Sequence, residues 1–191
     1  MTGKMMLALA VAVLVTTGSA WADTTMLFSP IPNDLNDLDH TKAYRWGFDV
    51  SLPAGEEVAS ASLTIFNIRN WDNNPNVLYI HLLDWTQSGV NQATDNEGGG
   101  DYFATYSYPH TPLVTYQNLP TTAQTLVYNF TAAQVTALNG YLADGRIGLG
   151  FDPDCHFYND GVQLTMTAPE PAAWFLLLGT IPMILRRLRQ A

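Results

Sequence analysis

The chain contains a single cysteine, Cys155, which excludes an intramolecular disulfide and any zinc site built from several thiolates. Charge is also scarce: charged residues make up 13% of the 191 positions, against roughly 25% in an average soluble domain. Positive charge is the scarcest. Eight Lys and Arg stand against seventeen Asp and Glu, and a net charge of −9 argues against nucleic acid as a partner. What is abundant is apolar: 47% of the residues are hydrophobic, too many for a chain disordered throughout. The length allows one ordinary domain with targeting segments around it.

The first 22 residues read MTGKMMLALAVAVLVTTGSAWA. Lys4 gives a positive start, and Met5 to Val15 is apolar without interruption but too short to span a membrane. Ala20-Trp21-Ala22 then offers an A-x-A cleavage site. That is the layout of a secretory signal peptide, with Gly18-Ser19-Ala20 as a second cleavage site. At the other end, Ala172 to Leu185 is apolar and is followed by Arg186, Arg187 and Arg189. With snorkelling arginines the stretch 172–188 reaches about 25 Å, close to the ~30 Å of a hydrocarbon layer. The arginines are expected to stay cytoplasmic as a membrane stop. Both ends predict one topology: the body outside, the last residues inside.

Pro169-Glu170-Pro171 stands just before the apolar stretch, where two prolines favour an extended backbone. This order of PEP tripeptide, apolar span and terminal arginine cluster, with a signal peptide at the front, resembles the PEP-CTERM sorting signal of Gram-negative bacteria. The resemblance covers residues 168–191. It implies export by signal peptidase and inner-membrane anchoring. Processing at Pro169, Glu170 and Pro171 by an exosortase would follow, then delivery to the cell surface or extracellular matrix, often in the company of exopolysaccharide. The body also resembles a group of PEP-CTERM exported domains through DLDHTKAYRWGFDV, ASASLTIFNIRNW, VLYIHLLD and GLGFDPDCHFYNDGV. No activity is transferable from that group.

Between the tails, residues 23–167 form the expected folded domain. Sixteen of the seventeen acidic residues lie here, but only four basic ones, Lys42, Arg45, Arg69 and Arg146. Such a surface suits cations rather than anions. Period-2 alternation dominates: Tyr44 to Leu52, Ala59 to Ile65 with a phase shift at Phe66 that hints at a bulge, Leu126 to Phe130, Ile147 to Phe151, and Val162 to Met166. Val77 to Asp84 reads as a nearly continuous apolar strand. Turn-rich stretches separate these runs, and Asn91 to Asp101 reads as a Gly-rich acidic loop. Thr131 and Gln134 form a capping box that opens a helix over Ala132 to Ala143. The fold class predicted is all-β, a jelly-roll-like antiparallel sandwich with one short helix.

Candidate chemistry is acidic. Asp37 and Asp39 lie in NDLNDLDH; Asp152, Asp154 and Asp160 lie in FDPDCHFYND. Residues two apart on an extended backbone face the same way, so each pair can converge. A sandwich that places the N-terminal segment beside the last hairpin would close one site from both. Oxygen ligands in a loop suit Ca²⁺ as a structural cofactor. A zinc variant would use His40, Cys155 and His156. Trp71 and Trp85, in turn sequences, are candidate sugar-stacking residues. Paired carboxylates would also serve a hydrolase. In a domain this small without a recognisable catalytic motif, however, the expectation is a non-enzymatic surface or matrix protein, with a calcium-supported carbohydrate-binding module as the alternative.

Overall fold

A computed structural model describes residues 23–31, 34–95 and 99–169. The signal sequence, Glu170, Pro171, the apolar stretch 172–188 and its three arginines lie outside the described residues. Among the described residues, no helix is long and apolar enough to cross a membrane.

Alternating side chains produce two antiparallel five-stranded sheets. The first runs β1 (Thr24–Phe28), β10 (Val162–Ala168), β3 (Ser60–Asn70), β7 (Gln124–Asn129), with β9 (Phe157–Tyr158) also on β3. The second runs β5 (Gly89–Thr94), β2 (Lys42–Asp49), β8 (Arg146–Pro153), β4 (Val77–Leu83), β6 (His110–Gln117). Their inner faces bury Leu63, Ile65, Leu164 and Met166 from one sheet, and Tyr44, Trp46, Leu78, Ile80, Leu82, Leu149 and Phe151 from the other. Each large apolar side chain so buried contributes about 1.5–3 kcal/mol. The molecule is an all-β sandwich with one short helix.

The helix, α1 (Ala132–Tyr141), starts at Thr131, and both capping-box bonds form. Gln134 is buried and fully used: Oε1 accepts from Tyr128 Oη and Thr131 N, while Nε2 donates to the carbonyls of Pro112 and Leu113. The helix is shorter than its sequence reading, because Leu142–Asp144 tightens into a 3₁₀ turn. The phase shift expected near Phe66 is present as a register shift in the β3–β7 pairing between Ile65 and Ile68.

Four strands, β1, β5, β6 and β9, lie where turns or nothing had been expected. Gly89–Thr94 pairs with β2, so the loop read from Asn91 begins only after Thr94. Its residues look like loop because β5 is an edge strand with none of its side chains fully buried. In β6, Pro112 sits opposite His81 at a register shift, a position on an edge strand that tolerates a missing N–H.

The topology gives the sandwich two ends. Thr24 pairs with Ala168, and Thr167 with Ser60, so the first and last strands begin and finish at one end. β3 runs from there to Asn70 at the far end, where Asn70 pairs with Phe157. β8 also finishes at that far end: Leu78, at the start of β4, pairs with Pro153.

A short third layer covers the outer face of the second sheet. Two glycines of β8 make room for it. A Cβ on Gly148 would stand 2.3 Å from Thr86 Cγ2, and one on Gly150 would stand 2.5 Å from Phe103 Cζ. Phe103, in the 3₁₀ turn Tyr102–Thr105, is fully buried there with Ala43 and Leu83.

Candidate functional site

Alternation along β8 places Gly150, Asp152 and, just past the strand, Asp154 on that outer face, beneath the third layer. Asp95 follows β5 on the other side of β2 and is fixed by its own backbone N–H, which donates to the Thr41 carbonyl at 2.8 Å. The strand order therefore brings Asp95 to Asp152 and Asp154. One carboxylate oxygen from each lies within 4.8 Å of the others. Among the described residues, this is the acidic, His or Cys grouping that presents three ligand atoms together.

The third layer binds the two β8-side carboxylates from one side only. Tyr102 N–H donates to Asp152 Oδ2 at 2.7 Å, and Gly100 N–H donates to Asp154 Oδ2 at 3.1 Å. Oδ1 of both residues is buried without a hydrogen bond. Asp152 has no exposed surface at all. Burial pushes its carboxyl up to about 7; the Tyr102 N–H opposes this, and the charges of Asp95, Asp154 and Asp101 add to it. Asp154 is raised for the same chief reason, burial, against the Gly100 N–H and the Tyr79 hydroxyl.

Asp101 secures the layer beside the trio. Its Oδ1 accepts from Phe103 N at 3.0 Å and its Oδ2 lies 3.0 Å from His81 Nε2. His81 is 2% exposed, and burial holds its pKa below the usual value despite Asp101.

The other carboxylates expected at a shared site face elsewhere. The N-terminal segment does lie against the last hairpin, since Leu38 and Phe157 exchange two backbone hydrogen bonds of 2.9 Å. Asp39, however, turns back to accept from Thr41 N and Oγ1, and these donors hold its carboxyl below the usual range. Asp37 reaches to within 3.8 Å of His156 Nε2. Asp160 accepts from Asn67 Nδ2 at 2.7 Å, at the irregularity of β3. The sequence reading thus placed Asp152 and Asp154 with the wrong neighbours: Asp95 joins them, and Asp37, Asp39 and Asp160 do not. The three residues of the zinc variant also diverge, with His40 toward Asp39, Cys155 donating to Asn70 Oδ1, and His156 toward Asp37.

The two tryptophans belong to different clusters. Trp71 follows β3 at the far end, is 58% exposed, and lies 6.0 Å from the His156 ring. Trp85 follows β4, which runs back toward the tail end. It is 39% exposed and lies 5.0 Å from Tyr108, itself 45% exposed. Tyr106 stands 5.8 Å from Tyr108 and donates its hydroxyl hydrogen to the Trp85 carbonyl. Compared with known proteins, the chain matches no family model and no curated protein.

Proposed function

We propose that this chain is an exported, non-enzymatic cell-surface or extracellular-matrix protein, carried by a signal peptide and sorted through a PEP-CTERM tail. The observation that supports this most directly is the pairing of the first and last strands. Thr24 opposite Ala168 brings the first and last strands of the domain to one end of the sandwich, an arrangement that suits a domain processed on both flanks. A domain tethered at that end presents its other end, with Trp71 and the close of β8, away from the membrane. Signal peptidase and an exosortase are the processing partners, and the inner membrane holds the chain between the two cuts. The domain itself reads as a jelly roll. Its strand order supports this: β1, β3, β7 and β10 share one sheet, while the intervening β2, β4 to β6 and β8 share the other.

The test is release from the membrane in the native host. The wild-type chain is expected outside the cell with a start near Asp23 and without its last residues. Glu170→Ala is expected to stay membrane-bound. Full-length, uncut chain in the cytoplasm, or normal release of Glu170→Ala, would overturn the reading.

A second reading, saccharide binding, is favoured by the exposed rings of Trp85 and Tyr108, which together offer a stacking surface. Retention of the protein on its host's exopolysaccharide, reduced about tenfold or more by Trp85→Ala, would support it. No retention of the wild type removes it.

A further inference from the structure

We propose that Asp95, Asp152 and Asp154 bind one Ca²⁺ ion, which fixes residues 99–105 onto the outer face of the second sheet. This site stands independently of the export reading.

The geometry fits that ion. Calcium takes oxygen ligands at about 2.3–2.6 Å, so two oxygens across its sphere stand about 4.6–5.2 Å apart. The three carboxylate oxygens all lie within 4.8 Å of one another, inside that sphere. Magnesium dehydrates reluctantly and keeps several of its waters, which a largely buried trio accommodates less well.

Acidic clusters are common, but the orphaned oxygens here are not. Asp152 is fully buried; Tyr102 N–H takes one of its oxygens, and the other has no donor. Asp154 is half-buried and has both the Gly100 N–H and the Tyr79 hydroxyl as donors, yet its Oδ1 is likewise buried without a hydrogen bond. Among the described residues, neither makes an ion pair with a basic side chain. Their strongest charged neighbours are further carboxylates, Asp95 and Asp101, in addition to each other. A buried carboxylate oxygen without a donor costs free energy that either a proton or a cation relieves. A proton satisfies one oxygen, whereas a divalent ion satisfies one on each of three residues. A cleft of about 270 Å³ lined by Pro75, Asn76, Val77, Gln117 and Asn118 borders Asp154. Water or carbonyl oxygens would complete the coordination.

The same carboxylates hold the third layer through their Oδ2 atoms. Fixing Asp152 and Asp154 therefore also fixes Gly100 and Tyr102. Phe103, seated in the gap left by Gly150, follows them. The ion's role is structural.

The test uses the full-length chain in non-ionic detergent, with CaCl₂ alone as the probe. After removal of cations by chelator, millimolar Ca²⁺ is expected to raise the unfolding midpoint by about 5–10 °C. Asp152→Asn and Asp154→Asn keep the shape of the side chain and should fold, with the Ca²⁺-dependent shift lost. Asp160→Asn should retain it. As a readout that needs no variant, Tb³⁺ is expected to luminesce on excitation of the adjacent Tyr79 and Tyr102 and to be displaced by Ca²⁺. Absence of both the shift and the luminescence in folded wild type would overturn the site. So would a full shift in folded Asp152→Asn. An equal shift with the same concentration of Mg²⁺ would overturn the assignment to calcium.

Discussion

Asp39 and Asp152 are the same residue type, each one of a closely spaced acidic pair, and the fold moves their carboxyls in opposite directions. Asp39 lies at an open turn, accepts two hydrogen bonds from Thr41, and is held below the ordinary carboxylate range. Asp152 lies under Phe103 and Tyr102, accepts one backbone N–H, and is pushed up to about 7. Donor supply and burial account for the contrast. Charge count does not, since both segments are comparably acidic in sequence. Acidic residues in a turn are therefore ordinary, whereas acidic residues placed under a covering layer are left needing a positive partner.

Removing the cover is the strongest way to erase the difference. Phe103→Ala deletes a fully buried ring that occupies the space above Gly150, and a loss of about 3–5 kcal/mol is expected in denaturant unfolding. The same variant should weaken Ca²⁺ binding, because Tyr102 N–H loses its anchor. Unchanged stability would mean that the third layer is not packed as described.

The next effect is one of pH. In chelator the unfolded chain ionises Asp152 near 3.8, whereas the folded chain keeps it protonated to about 7. Between these values the native state binds more protons, so this group makes stability fall as pH rises, by about 2–4 kcal/mol in all. Burial sets the direction and the facing charges of Asp95, Asp154 and Asp101 add to it, while His81 beside them, lowered by burial, contributes the opposite slope. The quantity to measure is therefore the difference between wild type and Asp152→Asn, both in chelator, at about pH 4.5 and about pH 7.5. The variant should gain relative to wild type at the higher pH. A variant that loses ground there would contradict the assignment.

The smallest effect belongs to the open turn. Asp39→Ala removes two exposed hydrogen bonds and should cost about 1 kcal/mol or less, with Ca²⁺ binding unchanged.

Most of the sandwich was legible in the sequence because one face of each major strand is buried. Tyr44, Trp46 and Phe48 alternate with Arg45 and Gly47, and the structure turns the first set inward. β5 was not legible, since an edge strand with partly solvated faces has no reason to alternate. Two of the three residues of the candidate site were legible. Asp152 and Asp154, two apart, share a face by the period of a strand alone. Asp95 carries no local signal for its role, because only the order β5-β2-β8 brings it there. A subtler signal was available in Gly148-Leu149-Gly150-Phe151-Asp152. Glycines alternating on the side of Asp152 mark a face on which something else lies close.

The most direct measurement is metal content at equilibrium. Full-length wild type and Asp152→Asn are dialysed against the same trace of ⁴⁵Ca²⁺ in millimolar Mg²⁺, and bound calcium is counted per chain. The account predicts close to one ion on the wild type and almost none on the variant. Equal binding by the two folded proteins, or none by either, would contradict it.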